Sequence, residues 1–332
     1  MRVLVTGAAG FVGLNLVRRF AAAGDHVDAM ARRPPDPVSE GFTGSGPGRV
    51  AWHVGDVTDR AGFDALVSVL RPDAIVHAAA VTFTAPQEAA DPARVFDVNA
   101  GGTVNVLEAA RRHGVGTFVY VSSSGLYGAN PPLPALDEDA RMNPGNLYAI
   151  SKIASEHLCA RYAELTGMRV RVGRLGTAYG PMERATGSRT NLSGVQQVIR
   201  LAETLDRPVR VAGAEIARDF VHVDDVAEAF YQLTVVGEAR HVIYNVGAGR
   251  SDPLSVALDA LADAAPGFRW ERVAADDATA DVRHVPAQAR AAMDLGRLEG
   301  DTPWRWRIPL AEGARATWTW RRSHPDWIAD DA

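Results

Sequence analysis

The chain has 332 residues, 47% of them hydrophobic and 23% charged, with a net charge of −5. That length allows one large α/β domain or two smaller ones with a real core. The acidic balance argues against nucleic acid or an anionic membrane surface as partner, no apolar stretch is long enough to span a bilayer, and the lone Cys159 excludes an internal disulfide.

From the N-terminus, Arg2–Thr6 (RVLVT) reads as a buried strand ended by glycine. Phe11–Ala23 reads as a helix with Val12, Leu16 and Phe20 on one face and Gly24 as its stop. His26–Met30 is a second strand, and the Pro/Gly/Ser-rich RRPPDPVSEGFTGSGPG after it reads as a surface loop. Val50–His53 is a third strand, and Asp59 caps a helix bearing Phe63, Leu66, Val67 and Leu70. Ala74–His77 is a strand, Ala93–His113 mostly helix, Thr117–Val121 a strand, Tyr148–Thr166 a long helix ending at Gly167, and Met168–Val172 a strand. Such alternation predicts a doubly wound parallel sheet covered on both faces. After about Gly176 the pattern loosens; GPMERATGSRTNLSG reads as a substrate-side loop, either a lid or an ordinary mobile loop. Val209–Val211 and Phe220–Val223 are short strands, Asp224 and Asp225 are expected to cap the next helix, and the tail carries Trp304, Trp306, Trp318 and Trp320 as an aromatic cluster. The expected division is a dinucleotide-binding domain over 1–175 and 215–247, with a substrate-binding portion over 176–214 and 248–332.

TGAAGFVG places Gly7, Gly10 and Gly13 between the first strand and first helix. There the glycines permit a tight turn, close approach of backbone to a pyrophosphate, and close helix–sheet packing, while the helix N-terminus faces the phosphates. The second strand ends in AMARRPPD: no acid stands near Ala31, and Arg32 and Arg33 follow. An acid would repel a 2′-phosphate and a guanidinium would pair with it, so NADP is favoured slightly over NAD, unless both arginines are solvated loop charges. Asp56 in GDVTD either accepts from the adenine amino group or caps a turn.

Tyr148 and Lys152 stand one helical turn apart on one face. A nearby ammonium favours the phenolate of a side chain whose free pKa is about 10. Such a tyrosine takes a proton from an alcohol while hydride leaves for a nicotinamide, or does the reverse. A serine from VSSSGLYG would hydrogen-bond the reacting oxygen. In an arbitrary helix the same pair is a half-buried tyrosine beside a surface lysine; the glycine turn upstream favours the catalytic alternative. No His/Cys/Asp cluster suggests a metal; His77 reads as structural, and His222 with Asp224 and Asp225 more simply as a helix cap.

With TGAAGFVG, GDVTD, IVHAAA, VNAGGTVNVLEAA, VSSSGLYG, YAISK, RLGTAYGP, RDFVHVDDVA and YNVGAG in place, the chain resembles, almost end to end, the extended short-chain dehydrogenases/reductases of the NAD(P)-dependent epimerase/dehydratase family. The resemblance implies that Phe11 and Val12 lie over the pyrophosphate and that Asp56 and Val57 contact adenine. Ala78, Ala79 and Ala80 would line the cofactor, with Asn99 bracing the active-site helices. It selects Ser123, four residues before the tyrosine of the YG pair, as the catalytic serine with Tyr148 and Lys152. It implies substrate contacts at Ser123, Ser124, Thr177, Asn191, Arg218 and Arg283, with Arg218 and Arg283 on the substrate diphosphate, and dimerisation through helices Ala93–His113 and Tyr148–Thr166.

The departures narrow the chemistry. Related dehydratases carry Asp-Glu after the serine or threonine, where Ser124 and Gly125 stand here, so the acid/base pair for water loss is missing. What remains is simple hydride chemistry on a sugar: epimerisation or reduction of a nucleotide-linked sugar, with an NADP-dependent reductase of a free sugar or hydroxy acid as alternative, and a non-catalytic cofactor sensor as a remote one. The usual family asparagine is Thr177, and the usual RPGD is RHVP (Arg283–Pro286), which leaves the diphosphate contacts open. The start of the chain, running straight into a strand, and the single cysteine predict a cytoplasmic protein without a signal peptide.

Overall fold

The computed structural model describes residues 1–129, 135–285 and 289–327; Pro286 of the RHVP motif lies outside them. The strands are β1 (Arg2–Thr6), β2 (His26–Ala31), β3 (Arg49–Val54), β4 (Ala74–His77), β5 (Thr117–Ser123), β6 (Arg169–Leu175), β7 (Thr177–Tyr179), β8 (Val209–Ala212), β9 (Ala217–Arg218), β10 (Phe220–His222), β11 (Ile243–Val246), β12 (Asp252–Pro253), β13 (Trp270–Val273) and β14 (Val282–Arg283). Seven form one parallel sheet in the order β11-β6-β5-β4-β1-β2-β3. The order reverses between β1 and β4, and a crevice opens there at the carboxyl ends of the strands. A smaller three-stranded parallel sheet, β13-β8-β14, comes from later segments.

Alternation along β1 shows why both faces are covered. Val3 and Val5 pack with Leu16, Val17 and Phe20 of α1 (Phe11–Ala22) and Val226 and Phe230 of a later helix. Leu4 points the other way, into a core with Phe63, Val67, Val106 and Leu107. Leaving either face wet would forfeit about 25 cal/mol per Å² of apolar surface.

The helices after α1 are α2 (Pro37–Thr43), α3 (Arg60–Leu70), α4 (Ala85–Ala90), α5 (Pro92–Phe96), α6 (Gly102–Arg112), α7 (Leu147–Thr166), α8 (Gly194–Thr204), α9 (Val223–Val235), α10 (Ser255–Ala264), α11 (Gly296–Asp301) and α12 (Leu310–Ser323). Two depart from expectation, and a third stretch, helical as expected, carries a π-helical turn. The proline-rich loop contains α2: Asp36 accepts from the Ser39 N–H at 2.9 Å as N-cap, Pro37 fits the first turn, and Val38 and Phe42 pack near Trp320 and Trp327 of the tail. The segment Ala93–His113 is α5 and α6 joined by a π-helical turn at Asp97–Gly101. And α9 is capped by His222, whose Nδ1 accepts from the Asp224 N–H at 3.2 Å, not by the aspartates. Asp224 pairs with Arg18, while buried Asp225 accepts from the Ile308 N–H at 2.9 Å and so pins the tail.

The tail tryptophans do not form one cluster. Trp304 joins the core under α9 and donates to the Asp225 carbonyl at 2.9 Å. Trp318 packs in the small-sheet core, and Trp320 against Phe42 and Trp327. Among the described residues, no helix is long and apolar enough to cross a membrane.

Candidate active site

A cleft of about 830 Å³ runs along the carboxyl ends of the strands. At one end is the turn after β1. Gly7 has φ +67°, and a Cβ there would stand 2.7 Å from the Ala79 backbone. A Cβ on Gly13 would come within 2.1 Å of the Gly7 carbonyl oxygen. So Gly7 brings the turn onto Ala78–Ala80, and Gly13 seats α1 on the turn. Gly10 begins α1 without a side-chain cap. Its unscreened N-terminus, lined by Phe11, Val12 and Gly13, faces the cleft. These residues form a cradle that fits a dinucleotide pyrophosphate.

Arg32, Arg33, Asp56 and Val57 line the adenosine end. Asp56 also takes the Thr58 N–H at 2.9 Å and hydroxyl at 2.8 Å. Burial pushes its pKa up, but these bonds, with Arg94 and Arg32 nearby, outweigh burial and leave it lowered. Asp56 therefore caps a turn, one of its two expected roles, and lines the cleft as well.

Ser123, Tyr148 and Lys152 converge on the opposite wall. Ser123 ends β5; its Oγ accepts from the Gly125 N–H at 3.1 Å, and it lies near enough to Tyr148 to favour the phenolate. Asn146 caps α7 by accepting from the Ala149 N–H at 2.8 Å, which sets Tyr148 in the first turn. Buried Lys152 donates to the Val121 carbonyl at 2.7 Å, with its Nζ 4.5 Å from the Tyr120 ring centroid and 5.7 Å from that of Tyr148. Burial draws Lys152 down to about 7 against the opposing pull of Glu156. Burial also raises Tyr148 above its ordinary value, with Ser123 and Arg189 offsetting part of the rise. The expected gain in phenolate is thus outweighed, among protein groups alone, by desolvation.

Neighbouring serines are separated by strand alternation. Ser122 borders the cleft but spends its hydroxyl on Glu156, to which it donates at 2.5 Å. Ser124 opens a 3₁₀ turn and is not among the residues lining the cleft. Asn99 does not line it either. From the π turn it donates to the Val81 carbonyl at 3.1 Å and to Ser151 at 3.0 Å, and accepts from the Val81 N–H at 2.9 Å. It ties the end of β4 to α7. His77 is held between Thr6 at 2.7 Å and Thr103 at 3.1 Å, and burial and Lys152 push it down to about 3, so it is a neutral structural histidine.

A model of the NAD dependent epimerase/dehydratase family matches residues 3–247. The chain belongs to that family. GDP-6-deoxy-D-mannose reductase of Pseudomonas aeruginosa is 32% identical over 95% of this chain and 95% of its own length. UDP-glucose 4-epimerase of Mycolicibacterium smegmatis is 30% identical over 96% and 97%. The structure of Thermus thermophilus UDP-glucose 4-epimerase in complex with NAD has a TM-score of 0.79 at 30% identity, covering 97% of this chain and 99% of that one.

As an enzyme of this family the protein needs a substrate end, which the structure builds differently from expectation. Thr177, Asn191 and Arg218 line the cleft. Arg283 does not: it is exposed and donates to the carbonyls of Ala275 and Asp277. The cation whose charge acts on Arg218 is Arg290. Burial and Arg290 draw Arg218 down to about 10, and burial lowers Arg290 as well. Two adjacent, desolvated guanidiniums suit a shared anion. Sequence reasoning missed Arg290 because an unlabelled arginine in a loop carries no local signal. Segment 182–193, read from the sequence as a substrate-side loop that is either a lid or a mobile loop, crosses the cleft: the Thr82 N–H donates to Ser188 at 2.7 Å, Arg32 to Ser188 at 3.3 Å, and Arg184 pairs with Asp36 at 3.0 Å.

Proposed function

We propose that the protein catalyses NAD(P)-dependent hydride transfer at a carbinol or ketone carbon of a nucleotide-linked sugar, as a 4-epimerase or ketoreductase. The observation that carries this reading is the convergence of Ser123, Tyr148 and Lys152 on the same cleft as the glycine cradle, with Arg218 also on its wall. A bound nicotinamide would take up or return the hydride. Ser123 holds the reacting oxygen, Tyr148 Oη takes or gives its proton, and Lys152, poised near neutrality, supplies positive charge beneath the phenol. The carboxylates lining the cleft among the described residues are Asp36 and Asp56, on the adenosine side, so no acid pair stands by Ser123 for a dehydration. Residues 1–175 and 215–247 hold the cofactor in this reading, and 176–214 with 248–332 shape the substrate end.

Arg32 and Arg33 at the end of β2 favour NADP, which supports a reductase that exchanges its cofactor; the NAD-bound epimerase structure supports the retained-cofactor alternative. Exposed Ile150 and Leu165 on α7 support a homodimer through α6 and α7, and the composition a cytoplasmic one. The test is a panel of UDP-, dTDP- and GDP-sugars against free sugars and hydroxy acids, read at the nicotinamide absorbance with NADPH and NADH for net redox and by chromatographic separation of the epimers for epimerisation. Turnover confined to nucleotide sugars supports the reading, and turnover of free sugars or hydroxy acids alone overturns it. Cofactor retained through gel filtration, with turnover independent of added nucleotide, selects the epimerase.

A further inference from the structure

The strap that crosses the cleft carries a cation that the reaction as described does not use. Glu183, fully buried, accepts from the Ser193 N–H at 2.7 Å, the Ser193 hydroxyl at 2.7 Å and Arg189 Nη2 at 2.8 Å. Arg189 is also held through its backbone, which pairs with Thr186 and bridges to Thr82. Its guanidinium therefore has a fixed place, 5.2 Å from the Phe11 ring centroid and on the wall of the cleft that holds Tyr148. Arg189 Nη1 is shielded from solvent and has no hydrogen-bond partner among the described residues. A desolvated donor without a partner is costly unless something in the cleft completes it.

We propose that Arg189 is a positioning residue of the hydride-transfer site, which faces Tyr148 across the cleft, stabilises its phenolate, and offers Nη1 to an oxygen of the bound ligand. The proposal rests on the functional reading above. The groups facing Tyr148 are Ser123 and Tyr120 from β5, Lys152 from its own helix, and Arg189 from the strap, with Glu183 behind it. Of the two cations, Lys152 is half discharged by burial near neutral pH, whereas arginine stays charged. The Arg189 guanidinium, fixed on the cleft wall, acts to lower the phenol's pKa.

The test compares wild type with Arg189→Gln, Arg189→Lys and Tyr148→Phe. Alkaline titration of the phenolate absorbance, taken as the difference from Tyr148→Phe, isolates Tyr148 without any turnover. Arg189→Gln should move the midpoint up by about half to one pH unit, a three- to tenfold loss of phenolate at fixed pH, and Arg189→Lys should restore most of it. The acid limb of the kcat–pH profile for alcohol oxidation should move in the same direction, since oxidation needs the phenolate. An Arg189→Gln midpoint and acid limb equal to those of wild type would overturn the proposal. Failure of the underlying reading looks different: Tyr148→Phe would then keep its activity.

Discussion

Replacing Arg174 by methionine tests the scaffold under the active site. Arg174 is fully buried on β6, and its Nε lies 3.1 Å from both Glu156 carboxylate oxygens and its Nη2 2.7 Å from Oε2. Nη1 donates to Tyr127 at 2.9 Å and to the Glu138 carbonyl at 2.7 Å. Glu156 in turn receives Ser122, next to Ser123, and sits one turn after Lys152 on α7. Arg174→Met would leave the Glu156 carboxylate without its counter-charge in the core and take one partner from the Glu138 carbonyl and from Tyr127, whose hydroxyl keeps Asn245 at 2.7 Å. Breaking a buried pair from one side costs about 3–5 kcal/mol, a large share of the roughly 5–15 kcal/mol that holds a protein folded. The double variant Glu156→Leu/Arg174→Met removes both charges and should recover a substantial part of that loss. Urea unfolding of the four proteins, with midpoints and slopes compared, measures each term. A single-variant cost below about 1 kcal/mol, or a double-variant cost equal to the sum of the singles, would refute the argument.

Lys152 links stability to pH. Its ordinary value is 10.5 and its folded value about 7, so between these the unfolded chain holds a proton that the folded protein has released, and stability rises with pH through that window. Lys152→Met should flatten that rise in thermal melts between pH 7 and 10. Gly13→Ala drives a methyl group into the Gly7 carbonyl, 2.1 Å away; calorimetric titration should show cofactor binding weakened at least about tenfold, with about 1–3 kcal/mol of overpacking strain. Arg218→Ala should raise KM for a nucleotide sugar at least about tenfold, the loss of a charged hydrogen-bond partner, whereas Arg283→Ala should leave it within about twofold.

The sheet and the cofactor cradle were legible because their signals are local. RVLVT ended by glycine, then glycines at a strand–helix junction, specify β1, its turn and α1 within a dozen residues. Tyr148 and Lys152 stood out by their helical spacing, whereas Ser123 was singled out among three serines only through the family resemblance. What escaped depends on distant contacts. The short helix α2 was hidden by its prolines and glycines although its Asp-Pro-x-Ser start is a cap signal, and it is held by tryptophans nearly 300 residues later in sequence. His222 outcompetes Asp224 as a cap because Asp224 is drawn to Arg18 of α1 and Asp225 to the tail. Arg283 ends the two-residue strand β14 while Arg290 lies beyond it in sequence, and no local pattern marks which of the two acts on Arg218.

The most direct measurement is Tyr148→Phe, assayed for cofactor binding and turnover together. The ring lies on the cleft wall beside Ser123, so losing only the hydroxyl should leave nicotinamide binding within about twofold while slowing turnover at least about a hundredfold. A variant that binds cofactor normally and turns over at the wild-type rate would contradict the account.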